Sequence, residues 1–204
     1  MTIITAVQKG DEVAIACDTQ ISSSDSGLML LAEYQVNASK LITYGESILG
    51  VSGSCAVMRI FEDLLGRSEP ARLASRTDVF RWLLAQQDTL KSDYYMKTDN
   101  GNDKGQPTES QWLTAMLINP YGIFSINPYR QVNEYSKFWA VGSGCRFALG
   151  ALEILYQQPL TATEIAREAA LVATKFNPGC SEPVFVQTIQ KQLDHGTGSE
   201  TASS

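Results

Sequence analysis

The stretch TIITAVQKGDEVAIACD at residues 2–18 decides the fold, because it contains two short β-prone runs around a polar turn. The two runs cover residues 3–8 and 13–17. Gly10 lies between them and supplies the positive φ that a tight hairpin turn needs. In a hairpin centred near Gly10, Asp18 lies roughly opposite Thr2. The sequence therefore predicts an antiparallel hairpin with a hydroxyl and a carboxylate at its open end.

A second hairpin is predicted from β-prone runs at 40–44 and 48–52, which flank a turn beginning at Gly45. This pairing puts Lys40 across from the end of the second run, near Gly53. Ser54 has the side chain of a helix N-cap, and the apolar residues after it follow the 3.6-residue period of a helix that ends at Gly66. Gly53 is therefore expected to meet a helix N-terminus.

The rest of the chain alternates between helical and strand patterns. Helices are predicted at 78–90 with Thr77 as cap, at 146–157, and at 162–175 after the capping box Thr161-Ala-Thr-Glu164. Strands are predicted at 113–118, 123–126, 138–141 and 183–189, and loops at 19–39 and 97–110. This order predicts an α+β protein in which helices cover both faces of two stacked antiparallel sheets.

Length and composition limit the functional classes. With 204 residues and 44% hydrophobic content, the chain is expected to form a single domain over residues 2–190, followed by a polar tail at 191–204. The net charge of -6 argues against a nucleic-acid partner. No apolar run approaches the about 18 residues of a membrane span, and no signal pattern is present, so we expect a cytoplasmic protein.

Cysteine and histidine usage disfavours metal, cofactor and histidine-based chemistry. The four cysteines, Cys17, Cys55, Cys145 and Cys180, are widely spread, and we interpret them as reduced, buried small hydrophobes. The one histidine, His195, lies in the polar tail. A zinc site therefore lacks ligands, and a serine–histidine relay lacks a base. Neither a metal nor a cofactor is expected.

Thr2 offers another kind of proton acceptor, because removal of Met1 would leave a hydroxyl and a free α-amine on one residue. Lys40 could hold that hydroxyl as its alkoxide, Asp18 could orient the ammonium, and the N–H of Gly53 could receive an oxyanion. Taken singly, each residue also has an ordinary structural explanation. The combination, brought together by two hairpins, favours a catalytic site.

The turn Gly142-Ser143-Gly144, between a predicted strand and a predicted helix, could in principle hold a phosphate. It lacks the third glycine and the later acidic residue of a dinucleotide-binding loop.

Five segments together resemble the proteasome β-subunits and HslV-type proteases, which are N-terminal nucleophile hydrolases. They are Thr2-Ile-Ile, Val13-Ala-Ile-Ala-Cys-Asp18-Thr, Ser39-Lys40-Leu, Gly50-Val-Ser-Gly53-Ser and Ala140-Val-Gly-Ser143-Gly. The resemblance extends from residue 2 to about residue 189. A threonine directly after the initiator methionine is more similar to the bacterial HslV and proteasome-homologue branch than to the eukaryotic one.

The resemblance implies an αββα four-layer sandwich and a role for each site residue. Thr2 would be the nucleophile, Asp18 and Lys40 its activating pair, Gly53 the oxyanion donor and Ser143 the partner of the Thr2 amine. Ser22 and Val51 would bind substrate. It also implies stacked rings of this chain that degrade unfolded polypeptide, and it leaves open whether a ring has six or seven members and whether an ATPase unfoldase delivers substrate.

The chain departs from the family pattern near its C-terminus. Where β-subunits have a supporting aspartate and serine, this chain has Asn177 and Cys180. Two hypotheses follow: an active threonine peptidase, or a structural ring subunit that has kept the fold and lost turnover. Joint retention of Thr2, Asp18 and Lys40 favours the peptidase. Apolar residues around one predicted helix, including Phe80, Trp82 and Leu83, are interpreted as a further sign of ring contacts.

Overall fold

A computed structural model describes residues 1–22, 28–98 and 108–192, and in it two antiparallel sheets stack face to face between layers of helices. The strands are β1 (Ile4–Lys9), β2 (Glu12–Cys17), β3 (Ile21–Ser22), β4 (Met29–Leu30), β5 (Leu41–Tyr44), β6 (Ser47–Ser52), β7 (Thr114–Asn119), β8 (Gly122–Asn127), β9 (Gln131–Tyr135), β10 (Phe138–Val141) and β11 (Phe185–Gln190). The helices are α1 (Cys55–Arg67), α2 (Arg76–Ala85), α3 (Gln87–Ser92), α4 (Cys145–Leu155) and α5 (Ala162–Phe176).

The first sheet has the strand order β10-β1-β2-β11, and the second has the order β5-β6-β7-β8-β9. Alternation along β1 shows how one strand serves two layers. Ile4 and Ala6 belong to the core between the sheets, whereas Val7, and Ile3 just before the strand, face α4 and α5. A Cβ at Gly50 of β6 would lie 2.9 Å from Ile4, so the absence of a side chain there lets the two sheets approach closely.

Three buried clusters correspond to the spaces between the four layers. One lies between the two sheets, one between the first sheet and α4 and α5, and one between the second sheet and α1, α2 and α3. The predicted α+β architecture with helices outside two stacked sheets is therefore confirmed.

Both predicted hairpins are present in the expected registers. Ile4 pairs with Cys17, so the residues before β1 meet those after β2. Leu41 pairs with Gly50, and the N–H of Val51 donates to the carbonyl of Lys40. Gly10 and Gly45 have φ of +59° and +57°, as their turns require.

Several local predictions were wrong. The helix expected at 78–90 is two helices, α2 and α3, and its cap is Ser75, whose hydroxyl accepts from the N–H of Asp78. Strand β9 was missed, because four of its five residues are polar or aromatic. The loop predicted at 97–110 is not superficial at its described ends, where Thr98 and Ser110 are buried and hydrogen-bonded to each other. Residues 99–107 lie outside the described part.

The argument for ring contacts from the second helix was also wrong in part. Trp82 and Leu83 are buried in this chain's own core, and only Phe80 of the three is exposed. At the C-terminus, the N–H of Lys191 donates to Asp11 and that of Gln192 to Pro120, so these two residues of the predicted tail contact the fold. The remainder of the tail, 193–204, lies outside the described residues.

Candidate active site

The predicted catalytic residues lie at strand ends along one edge of the two stacked sheets. Thr2 precedes β1, Asp18 follows β2, Lys40 precedes β5, Gly53 follows β6, and Ser143 follows β10. Since β1 pairs antiparallel with both β2 and β10, the start of β1 lies beside the ends of both neighbours. The structure therefore brings all five residues to the same edge.

Lys40 links the hydroxyl of Thr2 to the carboxylate of Asp18. Its Nζ donates to Thr2 Oγ1 at 3.0 Å and to Asp18 Oδ1 at 2.7 Å. All three residues are buried, and Asp18 is fully inaccessible. A buried ammonium is tolerated when a carboxylate pairs with it, and the same ammonium is then positioned to stabilise negative charge on the threonine oxygen.

Asp18 is held by the backbone as well as by Lys40. Its Oδ1 also accepts from the N–H of Ile3 at 2.9 Å, and its Oδ2 accepts from the N–H groups of Gln20 at 3.1 Å and Ser181 at 3.4 Å. These contacts fix the carboxylate in one orientation. The contributions of Gln20 and Ser181 were not predicted, since backbone donors leave no residue-type signal in a sequence.

The turn after β10 holds the backbone of Thr2. In the described chain, which carries Met1, the N–H of Thr2 donates to Ser143 Oγ at 3.2 Å, and the Thr2 carbonyl accepts from the N–H of Gly144 at 3.2 Å. Gly142 has φ of +99°, and a Cβ there would overlap the carbonyl oxygen of Thr2. The glycine turn that could have suggested a phosphate loop therefore contacts Thr2 itself.

Cys180 and Asn177 lie behind this turn. Cys180 is buried and its thiol lies beside the Ser143 hydroxyl. Burial, together with the negative charge of Asp18, raises the pKa of the thiol to about 11. Asn177 ends α5, and its Oδ1 accepts from the N–H of Gly179 at 2.8 Å. The thiol is thus neutral near pH 7 and lies behind Ser143, while the amide orders the loop that carries Cys180.

An open cleft adjoins Thr2. Ser22, Val51 and Gly53 all line it, as do Lys40 and residues of α1. Gly53 has φ of +116°, a conformation that favours glycine, and it lies directly before Ser54, the cap of α1. The predicted nucleophile, oxyanion donor and substrate-binding residues therefore share one cleft.

The described residues contain neither a metal-ligand cluster nor a membrane span. Among residues 1–22, 28–98 and 108–192, no group of three or more His, Cys, Asp or Glu residues could hold a metal ion. No helix in the described part of the chain is long and apolar enough to cross a membrane.

Comparison with known proteins gives three informative similarities, whereas no protein-family model matches the chain. Thiobacillus denitrificans BPH, solved in complex with epoxomicin, has a TM-score of 0.85 and 32% identity over 94% of this chain and 100% of its own. HslV from Trypanosoma brucei has a TM-score of 0.62 over 93% of this chain and 99% of its own, and at 21% identity it supports the fold alone.

The third similarity is to the proteasome subunit beta 1 of Pyrobaculum calidifontis, which is 43% identical over 58 residues. The match covers 27% of this chain and 29% of that relative.

Helices on both faces of two stacked antiparallel sheets, with a threonine entering the first strand, are the architecture of N-terminal nucleophile hydrolases. Given 32% identity over nearly the full length of both chains, the protein belongs to the proteasome β-subunit and HslV-type family.

Proposed function

We propose that the chain is the threonine peptidase subunit of a self-compartmentalised protease and hydrolyses peptide bonds with Thr2 after Met1 has been removed. The observation that carries the proposal is the buried contact of Lys40 Nζ with Thr2 Oγ1 at 3.0 Å and with Asp18 Oδ1 at 2.7 Å. A lysine paired in this way lowers the cost of forming an alkoxide on the threonine. Membership of a family of proteasome-type peptidase subunits supports the same chemistry.

In the proposed mechanism, the free amine of Thr2 accepts the proton from Oγ1 while Oγ1 bonds to the carbonyl carbon of the substrate. Lys40 stabilises the negative charge that develops on Oγ1, and the N–H of Gly53 stabilises the oxyanion. The C–N bond then breaks, the amine passes its proton to the leaving nitrogen, and an ester remains on Thr2. Ser143, which already accepts from the Thr2 nitrogen, orients the amine.

Water completes the cycle. The amine of Thr2 takes a proton from a water molecule, whose oxygen adds to the ester carbonyl. The C–O bond to Thr2 breaks, the proton returns to Oγ1, and the carboxylic acid leaves. Lys40 and Gly53 serve the second tetrahedral intermediate as they served the first, so the chain needs no metal or cofactor for either half of the reaction.

The substrate is proposed to be unfolded polypeptide, with a preference for an apolar side chain just before the cleaved bond, because Val51 lines the cleft beside Thr2. Ser22 lies on the same cleft and is proposed as a second substrate contact. The catalytic unit is taken as residues 2–190. By analogy with the family, copies of the chain are proposed to form stacked cytoplasmic rings, and the delivery of substrate by an ATPase unfoldase is left open.

The test is the substitution Thr2→Ala, which deletes the hydroxyl and little else. We expect cleavage of fluorogenic peptides to fall to background, Thr2→Ser to retain turnover, and light scattering to give the wild-type particle mass in both variants. Thr5→Ala is the matched control, because the Thr5 hydroxyl donates to the carbonyl of Ala166 and faces away from the cleft. Hydrolysis that persists in Thr2→Ala would refute the mechanism.

The competing hypothesis is that the chain is a structural subunit without turnover. The loss of turnover would then follow from Asn177 and Cys180, which stand where the family has aspartate and serine. Mass spectrometry of the purified N-terminus separates the two. A chain that keeps Met1 has no free Thr2 amine and supports the structural hypothesis, whereas loss of Met1 together with epoxomicin-sensitive hydrolysis supports the peptidase. Epoxomicin is the chosen probe because the BPH of T. denitrificans has been solved in complex with it.

A further inference from the structure

The side chain of Met1 lies across Gly179, in the turn between α5 and β11. A Cβ on Gly179 would overlap Met1 Cβ and would lie 2.5 Å from its Sδ and 2.8 Å from its Cε. Met1 lines the cleft, whereas Gly179 is buried and is not among the described lining residues. Gly179 therefore forms one wall of the space that the Met1 side chain fills, which is called the Met1 site below.

The backbone does not require a glycine at position 179. Gly179 does not have the positive φ found at Gly53 and Gly142. Its N–H donates to Asn177 Oδ1 at 2.8 Å, a contact that any residue except proline could make. What depends on glycine at this position is the open space beside Thr2, and that space remains when Met1 has been removed.

The turn that carries Gly179 lies on the amine side of Thr2. Ser143 Oγ accepts from the Thr2 nitrogen at 3.2 Å. The Cys180 thiol lies beside the Ser143 hydroxyl, and Gly179 directly precedes Cys180. Val51, by contrast, belongs to the second sheet. The Met1 site therefore adjoins the Thr2 nitrogen and is formed by a different layer of the fold from the apolar surface at Val51.

The leaving group of the reaction approaches the same nitrogen. In the proposed mechanism the Thr2 amine passes its proton to the leaving nitrogen, so the two nitrogens must come within about 2.6–3.2 Å of each other. The leaving nitrogen belongs to the residue after the cleaved bond. Met1 is bonded to the Thr2 nitrogen, so its side chain and that of the leaving residue start from nearly the same place.

We propose that the Met1 site binds the side chain of the residue after the cleaved bond, and that Gly179 determines which side chains fit there. The inference rests on the proposed peptidase function. The present occupant is long, unbranched and apolar, and Met1 is 57% exposed, so the site favours a side chain of this kind and buries about half of it. A side chain at position 179 would fill the same space and exclude it.

The experiment uses internally quenched peptides that differ only in the residue after the cleaved bond, which is norleucine, alanine or glycine. Mass spectrometry identifies the cleaved bond and confirms that each protein lacks Met1. The measured quantity is the ratio of kcat/KM for norleucine to that for glycine within each variant. One buried methylene contributes about fourfold, so a half-buried norleucine should give the wild type a ratio of about ten. Gly179→Ala should lower this ratio to about three or less.

Gly150→Ala is the matched control, because it adds the same methyl group where nothing lies within 4 Å. Its ratio should equal that of the wild type. A second peptide series varies the residue before the cleaved bond, and Gly179→Ala should leave the relative kcat/KM values in that series unchanged. A change confined to that series would put the Met1 site on the other side of the cleaved bond and overturn the inference.

A measurement on the wild type decides the inference if Gly179→Ala does not assemble. Norleucinamide and glycinamide are added to compete with water for the ester on Thr2. The amine nitrogen bonds to the ester carbonyl, the C–O bond to Thr2 breaks, and one amine proton passes to Oγ1. Norleucinamide should form about ten times more amide product than glycinamide at equal concentration. Equal yields would overturn the inference.

If the wild type cleaves no peptide, the proposed function fails, and binding still decides the role of Gly179. The norleucine and glycine peptides are then bound to Thr2→Ala particles without Met1, with and without Gly179→Ala, and followed by fluorescence anisotropy. A norleucine-to-glycine ratio that Gly179→Ala leaves unchanged, in hydrolysis or in binding, overturns the inference. A lower ratio in Gly179→Ala, with Gly150→Ala unchanged, supports it.

Discussion

Lys40→Met is the substitution that best separates a catalytic lysine from a structural one. Methionine keeps most of the apolar stem of the side chain and removes its hydrogen-bond donors. The ammonium of Lys40 lies 2.7 Å from Asp18 Oδ1 and 3.0 Å from Thr2 Oγ1, so the change removes two charge-assisted contacts at once. One of them affects the rate and the other affects folding, and the two effects can be measured separately.

The expected loss of rate comes from the contact with Thr2. A preorganised donor to an oxygen that gains negative charge contributes about 2.7–4 kcal/mol, or about 100- to 1,000-fold in kcat. The expected loss of stability comes from Asp18, because breaking a buried ion pair from one side costs about 3–5 kcal/mol. The N–H groups of Ile3, Gln20 and Ser181 still donate to Asp18, so we expect about 3 kcal/mol, the lower end of that range.

The assay is kcat/KM on a fluorogenic peptide, normalised to assembled particle, with urea unfolding followed by tryptophan fluorescence. Lys9→Met is the control, because the Nζ of Lys9 donates to the carbonyls of Tyr156 and Gln158 at the far end of β1 and not to the site. That variant should lose stability and keep its rate. A loss below about tenfold in Lys40→Met, equivalent to about 1.4 kcal/mol, would show that Lys40 does not act on the threonine oxygen.

Three further predictions concern the surroundings of the site. Gly142→Ala should abolish activity and lower the urea midpoint, because the new Cβ would lie 2.8 Å from the carbonyl carbon of Thr2 and φ there is +99°. Wild-type kinetics would contradict the role of this turn in holding Thr2, and Gly150→Ala, on an open surface of α4, is the control. Cys180→Ala should lower kcat/KM about three- to tenfold by removing the polar group beside Ser143, whereas Cys180→Ser should keep it. Equal values for the two variants would exclude a supporting role. Burial raises the pKa of the Cys17 thiol from 9.0 to about 11, so the unfolded chain releases this proton first as the pH rises, and stability should fall by about 2–3 kcal/mol between pH 9 and pH 11. The difference between urea midpoints at pH 8 and pH 10.5 should be smaller in Cys17→Ala than in the wild type. An equal difference in the two proteins would contradict the assignment of this pH dependence to Cys17.

Turn residues and the two-residue period of strands were sufficient to predict the parts of the site that lie in hairpins. Gly10 and Gly45 indicate their turns, and once each turn is fixed, the period of two residues fixes which side chains meet at the open end. That is why the sequence alone places Asp18 near Thr2 and Lys40 near Gly53. Each of these pairs is separated by fewer than twenty residues along the chain.

Contacts between distant segments could not be worked out in this way. Ser143 lies 141 residues from Thr2 along the chain, and its role followed from the family resemblance and not from any local pattern. The need for glycine at position 142 depends on the approach of Thr2, which only the packed sheets reveal. Strand β9 was hidden by its polar sequence, and also because the turn before it is made by Tyr129 and Arg130, whose φ values of 65° and 60° occur without a glycine to signal them.

The contacts around Thr2 also bear on how the site becomes active. With Met1 in place, Lys40 already donates to Thr2 Oγ1, Ser143 already accepts from the Thr2 nitrogen, and Gly142 already lies against the Thr2 carbonyl. The Thr2 hydroxyl donates to the Met1 carbonyl at 2.5 Å, and Met1 lines the cleft. Removal of Met1 would therefore leave the positions of the proposed catalytic groups unchanged. It would turn an amide nitrogen that cannot accept a proton into an amine that can, free the hydroxyl from the Met1 carbonyl, and open part of the cleft to substrate.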